Sequence, residues 1–140
     1  MTPDEIDLVQ SSFAKVVPIK EAAAELFYGR LFEIAPQVKP LFKGDMKEQG
    51  RKLMATLGLV VAGLKDLPSI LPAAEALAAR HATYGVKPEH YQPVGEALIW
   101  TLEQGLGDDL TPATRQAWLT AYTTLSGAMI AASARSEAAE

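Results

Sequence analysis

Apolar residues in this chain recur every three or four positions, in blocks separated by proline and glycine, and no stretch shows the strict alternation of a strand. The pattern predicts an all-α fold. Thr2-Pro3-Asp4-Glu5 reads as a capping box with proline at the first helical position, opening a helix to about Val17 that Pro18 ends. A second helix is expected from about Ile19 to Ala35, then a short turn over Gln37 to Phe42 between Pro36 and Gly44. A third should run from Lys47 to Ala62 and stop at Gly63, a plausible C-terminal cap. Ile70, Ala74, Leu77 and His81 mark one face of the next helix, which Gly85 can leave with positive φ before Lys87-Pro88 extends the chain. Another helix starts near Pro88 and fades into the glycines at 105 and 107. The last opens at Thr111-Pro112 and runs to about Ser133, leaving a polar, frayed tail from Arg135 to Glu140. With no repeat or linker in view, residues 1–140 are expected to form one compact helical domain.

Several polar groups interrupt these apolar stripes. His81 continues an inward face on the last turn of its helix, and is either a core histidine bonded to a carbonyl or a ligand aimed at something buried. Gln49 extends the stripe of Leu53, Leu57, Val60, Val61 and Leu64 by one turn. It is either a surface residue at a helix start or an amide held over a guest. Tyr28 shares a face with Ala24, Leu31 and Phe32, so its ring belongs inside and its hydroxyl needs a partner, either a backbone carbonyl or a bound ligand. Phe42, on a short turn after Pro40, either closes the core or walls a planar guest. On the last helix Ala121, Leu125, Ala128, Met129 and Ala132 form one stripe, with Trp118 and Tyr122 beside it as packing.

Composition narrows the choices. At 140 residues, 49% hydrophobic and 21% charged, the chain has the make-up of a globular protein with a real core. No window reaches the ~18 apolar residues of a membrane span, and the acidic start has no basic leader region, so neither a membrane nor secretion is expected. A net charge of -4 without a basic cluster argues against nucleic acid. The absence of cysteine excludes disulfides, thiolate ligation and covalent haem attachment, and is compatible with the cytoplasm. Aromatics are only 7% and alanine is abundant, consistent with a core that a guest helps to fill. Hydrolase, phosphate-binding, metalloprotease and calcium-loop motifs are missing, and two histidines do not make a zinc site.

Taken together, the residues resemble the globin family, and within it the bacterial single-domain globins of the flavohaemoglobin lineage. Leu26-Phe27-Tyr28-Gly29-Arg30-Leu31-Phe32 is similar to the second-helix motif and Pro40-Leu41-Phe42 to the turn carrying the haem-contacting phenylalanine. Gln49 to Leu53 is similar to the start of the distal helix. Arg80-His81 through Tyr84-Gly85-Val86 and Glu89-His90-Tyr91 are similar to the proximal helix and its corner. The resemblance implies a globin fold, a three-over-three helical sandwich around haem b. It implies His81 as proximal iron ligand, Tyr28, Gln49 and Leu53 on the distal side, and Phe42 stacked on the porphyrin. Tyr91 and Val86 would lie on the proximal side, and Lys52, or Arg80 as a second candidate, would pair with a propionate. His90, at a helix start, is taken as structural or exposed.

The function implied is reversible binding of oxygen and other diatomics in a cytoplasmic monomer or weak homodimer, with oxygen transport among its roles. One alternative is a nitric oxide dioxygenase, in which bound oxygen attacks nitric oxide and a separate reductase re-reduces the iron. Others are a haem-based gas or redox sensor and a haem-free helical domain. Two departures from the lineage bear on this. No flavin- or NAD-binding reductase portion is present in the sequence. Where relatives often carry a glutamate late in the last helix, this chain reads Ala131, Ala132, Ser133, which puts a carboxylate–Tyr–His relay in doubt and makes peroxidase-like chemistry less expected than in relatives that keep it.

Overall fold

The computed structural model describes residues 2–42, 45–83 and 90–139; the side chains of 67, 80–83 and 133–139 lie outside the description. Helix α1 spans Pro3–Val16, α2 Lys20–Ile34, α3 Met46–Ala62, α4 Leu67–Thr83, α5 Tyr91–Leu106 and α6 Pro112–Ala139. Three-residue 3-10 turns join α1 to α2, α3 to α4, and follow α5, while Pro36–Leu41 forms a longer 3-10 segment between α2 and α3. Among the described residues there is no strand.

The termini are fixed by the chemistry that the sequence displays. Thr2 accepts from the Glu5 N–H at 3.2 Å and Glu5 returns the bond to the Thr2 N–H at 3.0 Å, so two orphan donors of α1 are satisfied reciprocally. Asp45 caps α3 through the Lys47 N–H at 2.9 Å, and the Thr111 hydroxyl caps α6 through the Thr114 N–H at 3.2 Å. Gly107 closes α5 at φ 54°, a backbone state that a side chain would disfavour.

Two expectations change. Pro36–Leu41 is a 3-10 segment rather than an open turn, because Pro36 and Pro40 both fit its φ while removing donors that a regular helix would need. Helix α6 does not stop near Ser133 but continues to Ala139, through a stretch of alanine, serine, arginine and glutamate that contains no glycine or proline. Gly63 caps α3 as expected, at φ -92° and ψ 4°. Glycine is needed there for space, since a Cβ would sit 2.2 Å from Ile70 Cγ2. The exit at Gly85 and the start at Pro88 lie outside the described residues.

Packing divides the apolar residues into two clusters. The larger joins α1, α2, α3, α5 and the first half of α6 around Val9 and Leu31, both fully buried. It is pinned by a buried polar chain: Trp118 Nε1 donates to Ser12 Oγ at 2.8 Å, and Ser12 Oγ lies 2.7 Å and 3.0 Å from the carbonyls of Leu8 and Val9. The smaller joins Ala74 and Ala78 of α4 to Met129 and Ala132 of α6, with Leu77, Tyr91 and Leu125 at its edge. Helix α4 thus rests on α6, while α3 rests on α2 and α1.

Candidate functional site

The interrupted stripes converge where α2, the 3-10 segment and the start of α3 meet. Tyr28 is 8% exposed, as its place on the Ala24–Leu31 face predicts. Its ring lies edge-on to Phe42 with centroids 5.3 Å apart, edge-on to Phe27 at 5.1 Å, and stacked on Phe32 at 6.0 Å. Phe32 and Phe42 also meet edge to face at 5.5 Å, and the Lys39 ammonium lies 5.9 Å from the Phe32 ring centre. The result is an aromatic group of four rings, Phe27, Tyr28, Phe32 and Phe42, of which the sequence assigned two, Tyr28 and Phe42, to the site. Phe32 had the signal, four positions from Tyr28 on one helical face.

Tyr28 donates its hydroxyl to the backbone carbonyl of Gln49 across 3.3 Å, linking α2 to the first turn of α3. Of the two partners open to that hydroxyl from sequence, the structure supplies the backbone one. Burial pushes the phenol up to about 12, so it stays protonated and able to donate through the physiological range. Gln49 is half-buried at the same spot.

Along α3 the expected stripe holds in part: Val61 and, just beyond the helix, Leu64 are buried as expected, and Gly50 and Met54 join them. Leu53, Leu57 and Val60 are only half-buried beside the main cluster. Both sets fit a three-to-four spacing, and the choice between adjoining faces is made by the close approach of α2 rather than by α3's own sequence. Of the half-buried residues, Val60 borders the division between the two clusters. There Val60, Leu64, Ile70, Ala74, Thr124 and Leu125 line a small, mostly apolar cavity of about 20 Å³.

On the opposite side, Ile70 and Ala74 are buried and Leu77 half-buried, confirming the inward stripe that leads along α4 toward His81. His81 lies in the last turn of α4; its side chain, like that of Arg80, is outside the described residues, as is Val86 altogether. Tyr91 is half-buried at the edge of the small cluster. Its carbonyl accepts the Tyr122 hydroxyl, and burial raises both phenols above the usual range, for Tyr122 with Tyr91's own charge adding to it. Lys52 is exposed, and His90 is half-buried at the N-terminal boundary of α5. Among the described residues no three histidine, cysteine or acidic side chains gather into a metal site, and no helix is long and apolar enough to cross a membrane.

What this arrangement can do is specific. A neutral hydroxyl and an amide-bearing residue meet beside a group of aromatic rings where α2 and α3 cross, and the histidine-bearing helix α4 is packed separately on α6.

Comparison with known proteins places this geometry. The chain is 30% identical over 125 residues to a flavohaemoprotein of Vibrio cholerae, an alignment covering 87% of this chain and 32% of that protein. It is 36% identical over 115 residues to a flavohaemoprotein of Rhodopirellula baltica, covering 77% of this chain and 28% of that one. The chain therefore spans about a third of the length of the curated relatives it matches. Among solved structures, a bacterial globin from Campylobacter jejuni superposes with a TM-score of 0.84 at 25% identity, covering 96% of this chain and 97% of that one. An engineered carbene transferase made from a candidate nitric oxide dioxygenase of Rhodothermus marinus gives 0.89 at 26% identity, covering 99% and 97%. The globin family model matches residues 25–129, from α2 well into α6, and the six helices described above are accordingly a globin fold: the chain belongs to the globin family.

Proposed function

We propose that residues 1–140 form a single haem b globin domain that binds oxygen and other diatomics reversibly. The observation that carries this reading is the buried Tyr28 hydroxyl, joined to the first turn of α3 and set in an aromatic and aliphatic wall, in a globin chain whose α4 bears His81. The residues fit haem. The apolar core falls into a cluster that includes α3 and one that includes α4, and half-buried Val60 of α3 lines a small cavity with Ile70 and Ala74 of α4, as suits a flat apolar group entering between the two helices. The chain supplies an imidazole for iron and no thiolate, which suits a b-type attachment.

In this reading His81 would hold the iron, Phe42 would contact the porphyrin, Leu53, Tyr91 and Val86 would contribute to the pocket, and Lys52 would pair with a propionate. Haem, when bound, would supply the iron chemistry that takes a diatomic ligand. The rest is the chain's work. Tyr28 and Gln49 offer hydrogen-bond donors to a ligand that gains partial negative charge, while Phe42 and Leu53 keep water away. Each neutral donor contributes roughly 0.5–1.5 kcal/mol, more toward charge. Ala131 and Ala132 place no carboxylate where a proximal relay would need one. Ala132 instead packs among Ala74, Ala78 and Met129.

A second reading has support from the relatives: flavohaemoproteins in sequence, and a candidate nitric oxide dioxygenase in structure. Oxygen, nitric oxide and one electron give nitrate, and the electron would come from a separate reductase, with the globin working in the cytoplasm. Absorption spectra of the haem-loaded chain in ferric, ferrous and oxygen-exposed states test the primary reading. A Soret band that changes reversibly with oxygen is expected, and His81→Ala should lose haem or alter the spectrum. Unchanged haem retention and spectra in His81→Ala would overturn it. Steady nitric oxide consumption with an added reductase distinguishes turnover from one stoichiometric reaction.

A further inference from the structure

Helices α2 and α3 cross with almost no room between them. A Cβ on Gly50 would lie 2.9 Å from the Cβ of Ala24, closer than side-chain carbons normally approach. Ala24 is 6% exposed, and its Cβ is the first atom off the helix backbone, so it has no flexible end to swing aside. Ala24 lies one turn before Tyr28 on α2, and Gly50 directly follows Gln49, whose carbonyl takes the Tyr28 hydroxyl at 3.3 Å. The tightness of the crossing and the acceptor of the hydroxyl are therefore parts of one geometry.

We infer that Gly50 is a positioning residue: by letting α3 rest against Ala24, it keeps the Gln49 carbonyl within reach of Tyr28 and so divides the hydroxyl between the protein backbone and a diatomic ligand. The inference rests on the distal role proposed above. A phenol has one proton to donate. At 3.3 Å its bond to the carbonyl is long against the usual ~2.7–2.8 Å of O–H···O pairs, so the carbonyl is a competitor and not a lock. A methyl at position 50 must push the first turn of α3 outward, and a shift of a few tenths of an ångström takes the carbonyl beyond the ~3.5 Å limit of a useful bond. The hydroxyl, still protonated by its burial, then has only the ligand to serve. Losing a competitor worth roughly 0.5–1.5 kcal/mol slows ligand release by about 2- to 10-fold.

The test uses haem-loaded protein in five forms: wild type, Gly50→Ala, Tyr28→Phe, the Gly50→Ala/Tyr28→Phe double variant, and Gly50→Ala/Ala24→Gly. Two readouts are taken: the oxygen release rate by stopped flow, and the C–O stretching frequency with carbon monoxide as probe, which falls as donation to the ligand strengthens. Gly50→Ala should slow release about 2- to 10-fold and lower the stretch. Both changes should vanish when position 28 is Phe, and removing the Ala24 methyl should restore wild-type values. An unchanged rate and stretch in Gly50→Ala, or the same change with Phe at position 28, overturns the inference. If Gly50→Ala does not fold, Ala24→Ser enlarges the same contact from α2, and unchanged release there overturns it equally. Tyr28→Phe that alters neither readout defeats the distal reading itself, and the inference with it; Tyr28→Phe that alters both while Gly50→Ala alters neither defeats the inference alone.

Discussion

Replacing Gly63 by alanine sets two effects of opposite sign against each other, and the structure decides between them. Gly63 sits at φ -92° and ψ 4°, which alanine adopts without strain, so the backbone alone favours the change by ~0.4–1 kcal/mol through the unfolded chain. The added methyl would lie 2.2 Å from Ile70 Cγ2 and 3.4 Å from the Leu59 carbonyl oxygen. Ile70 is 9% exposed and its Cγ2 branches directly off Cβ, so relief requires the first turn of α4 to move against α3. Overpacking of this kind costs ~1–3 kcal/mol. The net expectation is destabilisation by about 1–2 kcal/mol. Gly29 is the internal control: it lies inside α2 with nothing within 4 Å of its would-be Cβ, and Gly29→Ala should stabilise by ~0.5–1 kcal/mol. Urea titration of the haem-free chain, followed by circular dichroism, separates the two. With a slope of ~1–3 kcal/mol per molar, the midpoints should move in opposite directions by a few tenths of a molar or more. A Gly63→Ala midpoint at or above wild type, with Gly29→Ala behaving as stated, would refute the claim that space and not backbone freedom requires glycine at the end of α3.

Ser12→Ala strands the buried Trp118 indole N–H and should lower stability by ~1–3 kcal/mol, whereas adding Trp118→Phe to it should cost less than the two separate losses summed; chemical denaturation of the four proteins measures both. Tyr28→Phe should raise the oxygen off-rate of the haem-loaded chain by up to about tenfold, read by stopped flow. Because burial raises Tyr28 to about 12 while the unfolded phenol ionises near ~10, the folded state holds its proton where the unfolded state has lost it. Its contribution is therefore fully present below pH ~10 and is lost as pH rises toward ~12. Tyr28→Phe should flatten that part of the stability profile in alkaline melts.

Much of the fold could be read from the chain because its punctuation is local. The capping box at Thr2–Glu5, the hydroxyl at Thr111 and the prolines at 18, 36 and 112 act within a turn of where they sit. Tyr28 and Phe42 could be picked out because an aromatic on an inward face must find neighbours. What escaped depended on contacts between distant residues. Which face of α3 is most buried is settled by Ala24 meeting Gly50, 26 positions apart, and the reason for Gly63 lies in a branch of Ile70. The amide of Gln49 drew attention as a side chain, yet its carbonyl makes the bond to Tyr28, and no pattern of side chains reports on a backbone acceptor.

The small cluster formed by α4 and α6 has a consequence for motion. Alanines at 74, 78 and 132 with Met129 bury far less apolar surface than the leucines, phenylalanine and tryptophan of the larger cluster. Local opening is cheapest where such surface is scarcest. In the haem-free chain, amide protons around Ala74 and Ala78 should exchange with solvent well before those around Leu31 and Leu102, and loading with haem should slow the first group far more than the second.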